Sequence, residues 1–324
     1  MEKYLRKCLD SLIVCEDNMK MLEVLVVNDG SKDSSSQIAH DFESRFPNTF
    51  RVIDKENGNY GSCINRGLKE ATGKYVKVLD ADDYFDTKEF EKFILQLKDT
   101  DADLILTHFN IVAENGDIYK RHIIDLPYNN IKQRNEIDPS KVEAFSNMQM
   151  HSITYRRTIF DGYSYHQSEG ISYTDQEWIF TPMYQVKTVL ALNYTIYQYL
   201  VGRAGQTMDS KVLAKSITHT VQGFFKMVDD YASMEFQDEE NRYFKQRLIT
   251  RMKYIYHFYL MKYHKGKNID ESALIDFDDK LKSLNSEVYQ WGNEIAILKI
   301  HYVSRWRKNH NDMLTKLLGR ILFK

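Results

Sequence analysis

Proline is scarce in this chain, four residues in 324, and cysteine scarcer still at three. Few prolines mean few strong breaks, and no low-complexity linker or internal repeat divides the sequence. Cys8, Cys15 and Cys63 show no CxxC spacing and no adjoining histidine cluster, which argues against a zinc site or disulfide frame and for thiols in a reducing compartment. No apolar run reaches the roughly 18 residues that a membrane span needs, and no signal peptide is evident, so a cytoplasmic chain is expected. The formal net charge of −2 provides no basic field to attract nucleic acid.

What is present suffices for one substantial core and a second, smaller one, since 43% of the residues are hydrophobic. From Leu22 to about Ile111, short β-branched runs alternate with amphipathic helical segments. From Asp209 onward a Tyr-, Lys- and Leu-rich helical pattern takes over. The expectation is an α/β domain over 1–208 and a helical C-terminal region over 209–324.

Leu5, Cys8, Leu9 and Leu12 share one face of a helix predicted over Glu2–Cys15. Leu22–Val27 is a nearly all-apolar strand, which predicts a sheet covered on both faces. It ends in Asn28-Asp29-Gly30-Ser31, and Asp33 or Ser34 is placed to cap a helix through Phe46. A strand over Phe50–Ile53 leads to the loop Asn57-Gly58-Asn59-Tyr60-Gly61 and a helix from about Ser62 to Ala71. The strand Tyr75–Leu79 then stops in Asp80-Ala81-Asp82-Asp83. Such a strand delivers carboxylates to a sheet's C-terminal edge, where open α/β folds bind ligands. Two carboxylates one residue apart can hold a divalent cation, and the cation a diphosphate. Each polar turn alone is ordinary turn chemistry. Three in βαβαβ succession point to a nucleotide pocket. Asp83 itself reads as a cap for the helix beginning near Thr87, or as an anchor for its own loop.

Val26-Val27-Asn28-Asp29-Gly30-Ser31-Lys32-Asp33-Ser34, Glu56-Asn57-Gly58, Asn65, Ala71-Thr72-Gly73-Lys74-Tyr75 and Leu79-Asp80-Ala81-Asp82-Asp83 together resemble family 2 glycosyltransferases with the GT-A fold. The resemblance covers roughly Glu2 to Gln206. It implies an α/β, Rossmann-like GT-A domain in which Asp29 recognises base and ribose, Asp80 lies near ribose and sugar, and Asp82 holds Mg²⁺ or Mn²⁺ on the diphosphate. Asn28, Gly30, Asn57, Gly58 and Asn65 join the nucleotide-sugar-binding set. Tyr173-Thr174-Asp175-Gln176-Glu177-Trp178 resembles the motif that supplies the base of inverting members, with Asp175 at that position. The same residues also read as the cap and first turn of a helix over Gln176–Tyr184. His151 and His166 are weaker candidates for the acceptor side. Gln198–Thr207 resembles the strand and loop that close over the donor, where Arg203 is a candidate diphosphate contact or a plain surface arginine.

Two departures stand out. Relatives usually begin with a strand and a Pro-x-Tyr-Asn-like turn ahead of a helix like Glu2–Leu9, whereas this sequence starts at the helix. The expectation is a gap between the Leu22–Val27 and Tyr75–Leu79 strands, with unpaired backbone groups there and weakened nucleotide binding. Ile64 stands where relatives often carry arginine.

Helical spacing recurs over Val212–Tyr231, Glu239–Tyr263 and Ser272–Asn285. The stretch from Lys299 carries seven lysines and arginines against Asp312 alone, and Met313, Leu314, Leu317, Leu318, Ile321 and Leu322 form an apolar stripe. A basic amphipathic helix suits peripheral contact of 299–324 with an anionic membrane; packing on its own domain or on a second copy, as a homodimer, is the alternative. The functional expectation is a metal-dependent inverting transferase. It would move hexose or N-acetylhexosamine from a UDP-sugar donor to a saccharide or lipid-linked saccharide acceptor in surface polysaccharide synthesis. The rivals are a nucleotidyltransferase and a catalytically weak subunit that scaffolds a partner.

Overall fold

Two sheets carry the polar turns of the N-terminal unit, Met1–Val212; the second unit is Leu213–Lys324. This computed structural model describes residues 1–134, 148–162, 164–202, 216–236, 241–262, 271–310 and 312–322.

Helix α1 spans Glu2–Asp10 and a short α2 spans Glu16–Met19. The first helix stops before the predicted Cys15 because Ser11 is drawn into other bonds. Its hydroxyl donates to the Cys8 carbonyl at 2.6 Å and accepts the Phe85 amide at 3.0 Å. Strand β1, Val24–Asp29, starts later than predicted and runs onto its polar turn. It pairs in parallel with β2, Phe50–Lys55, in register from Val24 opposite Phe50 to Asp29 opposite Lys55. Between them α3 covers Ser35–Arg45; its N-cap Ser34 makes no side-chain cap bond, and Asp33 ahead of it accepts the Ser35 amide at 3.0 Å. Phe42 of α3 and Phe50 of β2 are buried together, their ring centroids 5.6 Å apart, in a core that also takes Leu5 and Leu9 of α1. Deleting such a ring costs about 3–5 kcal/mol.

α4 spans Asn59–Glu70, starting inside the predicted loop. The predicted strand Tyr75–Leu79 keeps ladder bonds only at Tyr75 and Val76, which form β3. β4 is Tyr84–Phe85 and α5 is Thr87–Lys98, capped by Asp86 and not by Asp83. β5 (Leu104–Val112), β6 (Ile118–His122), β7 (Ile131–Gln133), β8 (Ile153–Arg156), α6 (Asp175–Phe180) and β9 (Thr188–Leu200) complete the unit. The larger sheet runs β3-β8-β5-β9-β4, with β6 on β5 and β7 on β9. β5 and β9 are parallel neighbours at its centre, β5 almost wholly buried and β9 buried along most of its length. α6 is shorter than predicted and passes into a 3₁₀ turn over Thr181–Tyr184, where Pro182 lacks the amide a continuing helix needs. Among the described residues, β1 pairs only with β2 and no ladder joins it to β3. Instead of being covered on both faces, β1 is half-buried along its whole length.

The second unit is helical. Its helices are α7 (Ile217–Ala232), α8 (Arg242–His257, passing into a π turn over Phe258–Lys262), α9 (Glu271–Leu284), α10 (Ser286–Trp291), α11 (Tyr302–Lys308) and α12 (Met313–Leu322). Phe224, Phe244, Tyr256, Leu274 and Trp306 are buried among them. Arg307, counted above among the outward basic charges, is inside. It bonds Asp278 and the Tyr256 hydroxyl at 2.8 Å each and stacks on Tyr289 at 3.6 Å. Arg305 forks onto both oxygens of Asp312. Helical periodicity sees neighbours three and four residues apart, and both of these partners lie farther away.

His40 of α3 bridges two carboxylates, Glu43 and Asp54, at 2.9 Å each. Those bonds, Asp54 first, hold the imidazole pKa above its ordinary 6.5. Its stabilising share is therefore complete below 6.5 and is lost as pH rises through the raised value. Glu43, bonded by the Val52 amide and by His40, and Asp54, bonded by Asn28 and by His40, are shifted down, and their share is lost only in acid. Replacing His40 with glutamine should lower Tm at about pH 6 and shrink in effect by about pH 9. Equal deficits at both values contradict the bridge.

Candidate active site

The first polar turn is built from its own side chains. Asn28 Oδ1 accepts the Ser31 amide at 3.1 Å while its Nδ2 donates to Asp54 at 2.6 Å. Gly30 sits at φ 69, the left-handed region that glycine enters without strain, and a Cβ there would lie 3.2 Å from the Asn57 nitrogen. Asn57 Nδ2 closes the same turn on the Asp29 carbonyl at 3.0 Å. Asn28 and Asn57 thus spend their amides on shaping the loop. Asp29 Oδ1 receives Lys55 Nζ at 2.5 Å and the Gly58 amide at 2.9 Å. Burial would raise its pKa, but Lys55 and the amides of Gly58 and Asn59 outweigh burial and lower it. Lys55 was absent from the sequence reading; its register opposite Asp29 on β2 is the signal that would have found it.

At the third turn the chain doubles back, the Asp83 amide donating to the Asp80 carbonyl at 2.9 Å. Asp83 is buried and held by the Tyr197 hydroxyl and the Leu200 amide at 2.7 Å each. The same Tyr197 oxygen accepts the Asp80 amide at 3.2 Å. Burial, and then the Asp80 charge, push the Asp83 pKa up to about 8. Asp83 therefore anchors its loop to β9. Asp80 and Asp82 remain half-exposed, and Asp82 lines a cavity of about 250 Å³ with Lys3, Lys7, Tyr84 and Glu114.

His151 is buried beneath this turn, stacked on Tyr199 at 4.4 Å, and its Nδ1 has no hydrogen-bond partner. Burial drops its pKa to about 3. Asp80, Asp83 and His151 bring ligating atoms within 4.8 Å of one another. With both Asp83 oxygens engaged, the carboxylates suited to a cation are Asp80 and Asp82. A small set of hard oxygen donors fits Mg²⁺ or Mn²⁺ shared with a diphosphate. Lys77, also missed in the sequence, donates to the carbonyls of His151 and Ile153 at 2.9 and 3.1 Å, and burial pulls its pKa down to about 7.

Asp175, the first residue of α6, is half-buried, and Gln176 Nε2 donates to it at 2.7 Å. Tyr60 is influenced by both Asp80 and Asp175. Burial, then Asp80, then Asp175 raise that hydroxyl's pKa well above 10. Tyr199 responds likewise, pushed up to about 12 by burial and by Asp83, Asp80 and Asp175. Both hydroxyls thus feel the charges of Asp80 and Asp175. Asn65 instead faces the 166–169 loop, bonding Gln167 and Glu169, with His166 at 3.4 Å. Arg203 lies outside the described residues.

The chain matches the family model Glycosyl transferase family 2 over residues 1–164. It is 28% identical over 166 residues to Glycosyltransferase GlyA of Streptococcus pneumoniae serotype 4, a stretch that is 49% of this chain and 23% of GlyA. It is 40% identical over 92 residues to the uncharacterized glycosyltransferase MG025 of Mycoplasma genitalium, 28% of this chain and 30% of that relative. The chain therefore spans less than a third of either relative. The crystal structure of S. aureus TarS 1–349 with UDP-GlcNAc superposes on 98% of this chain and 86% of its own, with a TM-score of 0.68 at 16% identity. That likeness is one of fold, the GT-A architecture. The chain belongs to glycosyl transferase family 2.

Proposed function

We propose that this chain is an inverting glycosyltransferase that moves a hexose or N-acetylhexosamine from a UDP-sugar to a saccharide or lipid-linked saccharide acceptor in surface polysaccharide synthesis. The observation that carries the reading is the acidic turn itself, pinned to β9 by Tyr197 and Leu200 with Asp80 and Asp82 left half-exposed, in a chain of glycosyl transferase family 2. The UDP-GlcNAc complex of TarS favours a UDP-linked donor.

Asp29 and its turn take the nucleoside end of the donor. Asp82, with Asp80 beside it, would hold Mg²⁺ or Mn²⁺, which would oppose the charge building on the departing diphosphate. The acceptor hydroxyl oxygen forms its bond to the anomeric carbon as that carbon's bond to the β-phosphate oxygen breaks. The electron pair leaves with UDP, and the acceptor proton passes to Asp175. One displacement inverts the anomeric centre.

Exposed apolar side chains support peripheral membrane contact by the second unit. Leu298 is 77% exposed, Met313 84% and Leu317 50%, and Lys299 and Lys308 are exposed as well. No helix among the described residues is long and apolar enough to cross a membrane.

Calorimetric UDP binding should require Mn²⁺ and be lost in Asp82→Ala. Asp175→Asn should keep that binding while transfer from a UDP-sugar panel falls by about 10²–10⁴-fold. Full transfer by Asp175→Asn contradicts its role as base. The whole chain should float with anionic vesicles and not with neutral ones, and Leu298→Glu with Met313→Glu should weaken flotation. Equal recovery with both lipids, or none with either, contradicts the membrane reading.

A further inference from the structure

We propose that Asn65 and Gln167 are positioning residues that set the place of Asp175, forming a clasp between α4 and the 166–174 loop. This rests on the reading of Asp175 as the base. The Asn65 side chain acts as one rung of a ladder: Oδ1 accepts the Gln167 amide at 2.8 Å and Nδ2 donates to the Gln167 carbonyl at 2.9 Å. The same Nδ2 reaches Glu169 Oε1 at 2.8 Å. With both ends of its amide engaged in this way, Asn65 is committed to the protein's own loop.

Two glycines let the backbones meet. A Cβ at Gly61 would lie 2.0 Å from the Ser168 carbonyl oxygen, a distance no side chain tolerates. Gly58 accepts the Gly170 amide at 2.9 Å. Positions 58, 61 and 65 fall on one side of α4 and its cap, so the loop is gripped along two turns.

From the loop the connection continues to the base. The Gln167 side chain is fully buried, and its Nε2 donates to the Thr174 carbonyl at 2.9 Å and the Thr174 hydroxyl at 3.0 Å. Tyr165 donates to its Oε1 at 2.9 Å. Next to it, the Ser168 amide donates to Glu177 of α6 at 2.8 Å. Thr174 precedes Asp175 directly. Tyr173, one residue earlier, sits at φ 66, a left-handed conformation that a bulky residue keeps only when its surroundings enforce it. At this same N-terminal end α4 begins beside Gly58, whose amide holds Asp29. One helix thus braces the nucleoside-end carboxylate and, through the clasp, the base.

The test uses the whole chain with Asn65→Ala, and Gly61→Ala as a second route to the same disruption. Both are measured for UDP binding with Mn²⁺, for transfer kinetics, and for amide hydrogen exchange over 165–175. The clasp predicts a UDP Kd within about twofold of wild type, a kcat lower by about tenfold to a hundredfold, and faster exchange at the Gln167, Ser168 and Gly170 amides. A tenfold weaker UDP Kd with unchanged exchange would make Asn65 a nucleotide contact and overturn the proposal. Faster exchange in both variants, with Asp175→Asn still fully active, would leave the clasp standing and sink only the base assignment. Unchanged exchange in both variants would sink the clasp whatever the activity.

Discussion

A buried carboxylate organises the front of this molecule. Removing Asp83 from water is costly unless its oxygens are satisfied. Here β9 satisfies both, through the Tyr197 hydroxyl and the Leu200 amide. Because the same phenol oxygen also takes the Asp80 amide, one side chain from the central sheet fixes both ends of the acidic turn. Asp80 and Asp82 are thereby left half-exposed on a fixed turn, with Asp82 lining the cavity. A preorganised carboxylate meets a cation and its diphosphate without having to be ordered first, which is what a site for developing charge requires.

α4 does for the Asp29 turn and the 166–174 loop what β9 does for the acidic turn. Its N-terminal end supports Asp29 and its first two turns seat the loop leading to Asp175. Three turns far apart in sequence are fixed by two elements. This accounts for glycine at 61, where the helix must approach the Ser168 carbonyl, and for Gln167 lying fully buried in a loop. Interfaces of this kind are discrete in their packing, so a small displacement at the clasp is felt at the carboxylate it carries.

The sequence made the strand–turn rhythm readable because β-branched runs and Asn/Gly turns are local signals. Asn28–Ser31, Asn57–Gly61 and Asp80–Asp83 do lie at element ends. Roles that depend on distant partners were not readable. Asp83 read either as a helix cap or as an anchor for its own loop, and its partner Tyr197, 114 residues on, makes it the anchor. Asn65 entered by resemblance alone, and the backbone it bonds, Gln167, stands 102 residues away. Arg307 counted as a surface charge by local pattern and is buried against Asp278, 29 residues earlier. The β1 strand was expected in a sheet covered on both faces; among the described residues it pairs with β2 alone, with no ladder across the expected gap to β3, and it is half-buried.

The central claim is that Asp82 and Asp175 face opposite ends of one donor sugar. Crystals of the chain grown with Mn²⁺ and a non-hydrolysable UDP-sugar, measured at the manganese edge, test it most directly. The account predicts an anomalous peak within roughly 2.0–2.6 Å of an Asp82 oxygen, on the diphosphate, with Asp175 on the opposite face of the anomeric carbon. Manganese held by Asp83 and His151 instead, or an Asp175 carboxylate turned away from the sugar, would contradict it.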